Sequence, residues 1–317
     1  MPTLTPFDFN NPAHHTLLVA LWNSGLPADL ALSTEFVHSF TRPTTGGAQA
    51  GRIAYADGQP VGALLCRAHP GAPQSMPCNV GWIDAIAVDP FYQHRGVGRG
   101  LLAWAEEWLA TQGAASIFTG CAARHLTPGV PESAIPFFTA CGFEQCDWTN
   151  WDVARSLADY TPPPSLRQVP AAAYPAQPGQ EGLLLDFLRR EFAGVWAFET
   201  EEFLREGGRI SDFMLLWSAD GVEGACKLSF EDSHWGMGRY YPYSLPRPWG
   251  QLGFIGVAET RRGQGMGLFL LDAGLRRLRD NGVNGCVIDW TDLLDFYGKA
   301  GFTPYHKWAV LWKKLGG

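Results

Sequence analysis

The chain has 317 residues, of which 46% are hydrophobic and 17% charged, and it carries a formal net charge of −7. That is long for one compact core and comfortable for two, and too apolar for a disordered chain. The acidic balance disfavours a nucleic-acid partner, leaving a small molecule as the expected one.

The first residues, Met1-Pro2-Thr3-Leu4-Thr5-Pro6, lack a basic start followed by an apolar run, and no stretch of about 18 apolar residues occurs anywhere. The sequence therefore reads as a cytoplasmic protein without membrane contact. The first hairpin signal is Arg52–Tyr55, a turn at Asp57-Gly58, and Val61–Cys66. A strand ending in Ile86-Ala87-Val88 then leads into Gln93-His94-Arg95-Gly96-Val97-Gly98. Leu101, Ala105, Trp108 and Leu109 follow at helical spacing, and the half closes at Gly142-Phe143.

From Thr161 to Pro178 the chain carries six prolines, too many to continue a helix or a central strand, so this segment reads as a linker. Beyond it the pattern returns. Phe213–Trp217, a turn at Asp220-Gly221 and Val222–Phe230 form the second hairpin. A strand ending in Ile255-Gly256-Val257 leads to Arg262-Gly263-Gln264-Gly265-Met266-Gly267. Leu268, Leu271, Leu275 and Leu278 repeat at helical spacing, Gly301-Phe302 closes the unit, and Trp308–Trp312 reads as its last strand. Both halves contain V-x4-[QR]-x-x-G-x-G, a repeat of long period. The expected organisation is an N-terminal domain at 1–160, a linker at 161–178 and a C-terminal domain at 179–317, each an α+β unit.

A glycine-rich turn between a strand and a helix aims several backbone N–H groups at one point, which the helix dipole makes favourable for an anion. Arg262 adds a charge-assisted donor and Gln93 a neutral one. Other nucleotide signatures fit less well. G-x-x-x-x-G-K-[ST] does not occur, and the dinucleotide fingerprint is matched by Gly98, Gly100 and Ala103 but has no counterpart in the second half.

These loops resemble the acetyl-coenzyme A loop [QR]-x-x-G-x-[GA] of the GNAT acetyltransferase superfamily, in two copies that together cover nearly the whole chain. The resemblance implies tandem domains, each with a mixed, mostly antiparallel sheet flanked by helices. The two-domain layout is similar to that of mycothiol synthases within the superfamily. The family's later segment N-x-x-A-x-x-F-Y-x-x-x-G-F is similar to Ala134–Phe143 and Leu293–Phe302. The second copy keeps the tyrosine as Tyr297, and the first has Phe138 there. The asparagine position falls on Pro131 and Trp290, so neither copy retains it.

The resemblance implies acetyl-CoA as co-substrate, no metal, and direct attack by an acceptor amine in a ternary complex. Ile255, Gly256 and Val257 would hold the pantetheine arm, Arg262 through Gly267 the pyrophosphate, and Tyr297 would serve the leaving thiolate. Ile86, Ala87, Val88 and Gln93 through Gly98 would do the same binding in the first half. The C-terminal domain is thereby the expected catalyst. The competing readings are a non-catalytic acetyl-CoA sensor and an acyltransferase similar to mycothiol synthase.

The base for the acceptor is less legible. Asp84 lies on the first half's strand, but the matching strand Gln251–Val257 has no acid. Asp289, Glu223, Asp232 and His234 are the second half's candidates. The aromatic segment from Ser233 to Tyr243, followed by Trp249, reads either as an acceptor wall or as packing. The seven cysteines, odd in number and without a C-x-x-C pair, read as reduced thiols rather than zinc ligands. A monomer or homodimer acting on a small-molecule amine is the expected form.

Overall fold

A computed structural model describes residues 2–71, 76–120, 123–124, 126–235 and 244–316. The chain runs through β1 (Thr3–Pro6), α1 (Pro12–Gly25), α2 (Thr34–Phe40), β2 (Ala48–Ala56), β3 (Gln59–Ala68), β4 (Val80–Val88), α3 (Val97–Thr111), β5 (Ser116–Thr119), α4 (Ile135–Ala140) and β6 (Glu144–Ser156). It continues through β7 (Ala172–Pro175), α5 (Glu181–Glu191), α6 (Val195–Arg205), β8 (Phe213–Ser218), β9 (Gly221–Ser229), β10 (Trp249–Val257), α7 (Met266–Asp280), β11 (Gly285–Thr291), α8 (Leu294–Gly298) and β12 (Thr303–Lys314).

Two compact units result. The first takes Met1–Asn150 and Trp308–Gly317, and the second takes the described residues between Trp151 and Lys307. In the first unit the strand order is β1-β2-β3-β4-β5-β12, and in the second it is β6-β11-β10-β9-β8-β7. The pairings are antiparallel except for β4 with β5 and β10 with β11, giving each unit a mixed sheet. The α+β expectation holds in both.

The β2–β3 hairpin closes at Asp57 and Gly58, with φ of 51° and 76°. Two positive φ values in a two-residue turn match the twist of the flanking strands, which is why Asp-Gly marks hairpins. The helical stripes are also as expected. Leu101, Leu102, Ala105 and Leu109 of α3 bury against Leu64, Cys66 and Ile83. Leu271, Leu275 and Leu278 of α7 bury against Cys226, Leu228 and Cys286. Burying each such leucine contributes about 1.5–3 kcal/mol, so these two helices anchor their sheets.

The closing strand differs from expectation. Trp308–Trp312 does lie in a strand, β12, but its end pairs with β5 through Trp312↔Phe118, Ile117↔Lys313 and Ser116↔Lys314, inside the first unit. The outer edge of β5 needs a partner, and Trp308, Ala309, Val310 and Leu311 bury there. In the second unit the matching edge of β11 is taken by the end of β6, with Cys286↔Arg155 and Ile288↔Val153. The Pro-rich segment is also more than a tether. It contains β7, an edge strand on β8, where a proline without a backbone donor is tolerated, and its Val169 joins the core of the second unit.

Candidate functional site

In the first unit β4 runs beside β5 only from Val80 to Ile83, opposite Ser116 to Thr119. On its other side the register with β3 slips between Leu65↔Ala85 and Cys66↔Ile83, leaving Asp84 as the extra residue of a bulge. From Asp84 onward β4 has no partner on β5, so its polar backbone faces a cavity of about 690 Å³. That volume lies within the usual range for a small-ligand site.

Ile86, Ala87, Val88, Gln93, His94, Gly96 and Gly98 all reach this cavity, as do Trp22 of α1 and Phe137 of α4. Gly96 is the N-cap of α3 at φ 84°, a left-handed conformation that glycine adopts without strain. A Cβ added there would meet nothing within 4 Å, so the approach to the helix N-terminus is open. Gly98 is needed for a different reason: a Cβ on it would lie 3.1 Å from the Phe137 ring. Two residues of the motif point elsewhere. Arg95 sits over the Tyr92 ring at 5.4 Å, and Val97 belongs to the apolar core.

Asp84 also lines the cavity, yet it is 8% exposed, with its Oδ2 2.6 Å from the Nε of Arg67 on β3. Phe138 is 2% exposed and packs edge-on against Phe137 and Phe143. Its ring offers no proton.

The second unit repeats the scaffold and fills it differently. β10 pairs with β11 only through Trp249–Gln251, so here too the strand end leaves its parallel neighbour. Against this stretch lies an aromatic stack, Phe192 on Trp196 at 4.6 Å and Trp196 on Phe254 at 5.5 Å. The Phe192 ring lies so close to Gly256 that a Cβ added there would have to displace it. Gly265 caps α7 at φ 86°, as Gly96 caps α3, but Val169 Cγ1 and Arg167 Cβ stand 3.6 and 3.9 Å from where its Cβ would be. Arg262, Gly263 and Gln264 are exposed, Met266 is core, and Gln264 Nε2 donates to the Thr260 carbonyl at 2.8 Å. Ile255 and Val257 pack in the apolar core around α7, and Gly267 lies beside the Phe296 ring.

Tyr297 is 5% exposed and sits within that core, its ring edge-on to Phe296 and Phe302. Burial pushes its phenol above the ordinary range, against a hydrogen bond from the Thr291 side chain, while the charges of Asp289 and Asp292 raise it further. Two of the other acids considered for the second unit, Asp232 and Glu223, are held in ion pairs. Asp232 takes both ends of the Arg209 guanidinium, which lowers its pKa, and Glu223 pairs with Arg261. His234 contacts Glu206 at 3.3 Å.

In the aromatic segment, Trp235 is buried edge-on to Phe203, and Trp249 donates its indole N–H to the Leu245 carbonyl. Residues 236–243 lie outside the described residues, as does Cys121. Burial pushes the thiols of Cys226 and Cys286 up to about 12, which suits packing and not nucleophilic attack. Among the described residues no group of three or more His, Cys, Asp or Glu could hold a metal ion. No described helix is long and apolar enough to cross a membrane.

Sequence reasoning missed Trp22, Arg67, Phe137 and Phe192. Arg67 carried a readable signal, a charge at the end of the apolar run Val61–Cys66. The three aromatic residues looked like any packing side chain.

The model of the acetyltransferase (GNAT) family matches residues 21–143 and 184–302. A mycothiol acetyltransferase from Catenulispora acidiphila is 28% identical over 175 residues, covering 48% of this chain and 50% of that protein. Among solved structures, a glucosamine N-acetyltransferase region of a fungal multi-domain beta-N-acetylglucosaminidase matches 98% of this chain and 38% of its own, with a TM-score of 0.85 and 21% identity. A tandem GNAT protein from the clavulanic acid biosynthesis pathway matches over 100% of this chain and 99% of its own, with a TM-score of 0.72 and 16% identity. The match therefore spans about half of the curated relative and less of the fungal chain, and at these identities the solved structures speak for the fold alone. The two matched segments take in most of the sequence, one in each unit, and the chain belongs to the acetyltransferase (GNAT) family, with two family domains in tandem.

Proposed function

We propose that this protein is an acetyl-CoA-dependent N-acetyltransferase acting on a small-molecule amine, and that its working site is the cavity of the first unit. The observation that carries this reading is the continuity of that cavity, from the stretch of β4 beyond its pairing with β5 to the open αL turn at Gly96.

The residues present suit the co-substrate. The first N–H groups of α3 have no partner within the helix and attract a pyrophosphate, and Gly96 lets it reach the backbone. The stretch of β4 beyond its pairing with β5 suits the amide-bearing pantetheine arm, and a backbone N–H there stabilises negative charge on the carbonyl oxygen under attack. Bound acetyl-CoA supplies an activated thioester, whose C–S bond breaks as the amine nitrogen bonds to the acetyl carbon. Asp84 holds the acceptor ammonium beside the β4 edge and takes the proton it sheds, directly or through water. Phe138 contributes packing only. The leaving thiolate, of reference pKa about 8.5, takes its proton from solvent.

Acetyl-CoA binding without transfer is the alternative reading, favoured by Phe138 standing where the family has tyrosine. Calorimetric titration of acetyl-CoA followed by an amine screen separates the two. One site per chain with transfer to an amine supports the proposal, binding without transfer to any amine supports the alternative, and no binding overturns both.

A further inference from the structure

Asp84 sits where β3, β4, the end of α2 and the segment at Ala123 converge, and one side chain ties all four together. Arg67 donates from Nε to Asp84 Oδ2 at 2.6 Å, from Nη1 to the Ala123 carbonyl at 3.1 Å and from Nη2 to the Phe40 carbonyl at 3.3 Å. It is 3% exposed. All three nitrogens of the guanidinium are thus fixed, two of them by backbone that can neither ionise nor rotate away. Lysine could supply the charge but not the fork.

We infer that Arg67 is a positioning residue that keeps the Asp84 carboxylate ionised and fixed against the cavity wall, and that it couples the acceptor side of the site to the end of α2. This rests on the reading of the first unit as the working site. A carboxylate removed from water favours its neutral form, and a cation at hydrogen-bond distance reverses that preference. Loss of Arg67 would remove a cation that favours the ionised form, and a carboxyl that keeps its proton can neither attract an ammonium nor accept a second proton. The other titratable or charged groups of this region are the Cys66 thiol on β3, whose pKa burial raises and the Asp84 charge raises further, and two buried residues. These are Arg124, next to Ala123, and His69, its ring 5.5 Å from Trp82 of β4. Cys66 would stay neutral through the working pH range.

Two measurements on the full chain test the assignment. In the first, kcat/KM for the amine is followed against pH in Arg67→Gln and Arg67→Lys, with acetyl-CoA affinity measured alongside. Loss of the cation should move the acid limb up by about one to three pH units in Arg67→Gln. Arg67→Lys should restore most of that shift, and acetyl-CoA should bind all forms equally. An acid limb unmoved in a folded Arg67→Gln overturns the role.

The second measurement needs neither activity nor a stable variant at Arg67. The Asp84 carboxyl is titrated by carbon-13 NMR in the wild-type protein and identified by its loss in Asp84→Asn. A midpoint below the ordinary aspartate value of about 3.9 supports the assignment, and one above it overturns it. Should wild type bind acetyl-CoA and acetylate nothing, the functional reading fails while this titration still reports on the pair.

Discussion

The two units carry the same strand, turn and helix and differ in what lies over them. At Gly96 the glycine-rich turn is open, and at Gly265 Val169 and Arg167 stand beside it. Ala87 faces a cavity, whereas its counterpart Gly256 lies under the Phe192 ring. Asp84, tied to Arg67, stands at the bulge of β4, whereas Gly253, at the same count back from the strand end, is paired with Lys227 on β9. The second unit in turn keeps the family tyrosine, buried in its core. The cavity described above and Asp84 therefore lie in the first unit, and the family's tyrosine position is kept in the second. A phosphate motif specifies backbone geometry at a helix N-terminus, but side chains from elsewhere decide whether a ligand can reach it.

The strongest way to break the comparison is to block each loop in turn. Gly96→Glu places a charged side chain at a positive φ in the open loop, and should lower acetyl-CoA affinity by roughly a hundredfold or more, about 3 kcal/mol. Gly265→Glu should leave it within a few-fold. Calorimetry reads both, and the reverse ranking would move the working site to the second unit.

Asp84→Asn should lower kcat/KM for the amine by about 10²–10⁴-fold, the usual loss for a missing base, with acetyl-CoA affinity unchanged. Steady-state kinetics with matched binding data checks this. An unaltered rate would remove the carboxylate from the mechanism.

Phe192→Ala sharpens the contrast by uncovering Gly256. Because the ring is half-buried, the cost in stability should be about 2 kcal/mol, below that of a fully buried phenylalanine. The uncovered strand should gain a second, weaker acetyl-CoA binding event. A stoichiometry that stays at one would assign the closure of the second unit to Val169 and Arg167 instead.

Tyr297→Phe should leave turnover unchanged and cost about 1 kcal/mol in denaturant unfolding, the worth of one hydrogen bond with Thr291. A large fall in kcat would return catalysis to the second unit, where its sequence motif is the more complete.

The smallest effect concerns pH. His15 is buried at the packing of α1 on α2, and burial, with His38 and His14 nearby, holds its pKa below the ordinary 6.5. Because the folded pKa is depressed, the unfolded chain binds a proton first as pH falls through about 6.5. The first unit should therefore lose stability on acidification through and below that value. His15→Gln should flatten this slope in thermal melts at pH 7.5 and 5.5, and an unchanged slope would assign the dependence to other groups.

Much of the fold was legible because it is local. Asp57-Gly58 specifies a turn whatever surrounds it, the leucines of α7 specify a stripe, and glycine at a helix N-cap specifies an αL turn. The exchange of closing strands was not legible. Trp-Ala-Val-Leu-Trp is a strand that will satisfy any open sheet edge, and its composition does not say whether β5 or β11 offers it. Nor could the register of Tyr297 reveal its burial, since a tyrosine before a Gly-Phe turn reads the same facing a ligand or facing leucines.

The sequence by itself determined the duplication, the α+β class, the two glycine-rich turns and the asymmetry between Phe138 and Tyr297, all of which follow from residue identity and spacing along the chain. Only the tertiary structure decided which turn is open, which strand closes which sheet, and that Arg67 meets Asp84. Those outcomes depend on contacts between segments far apart in sequence, such as Phe192 over Gly256 or Trp312 beside Phe118, for which local propensity carries no signal.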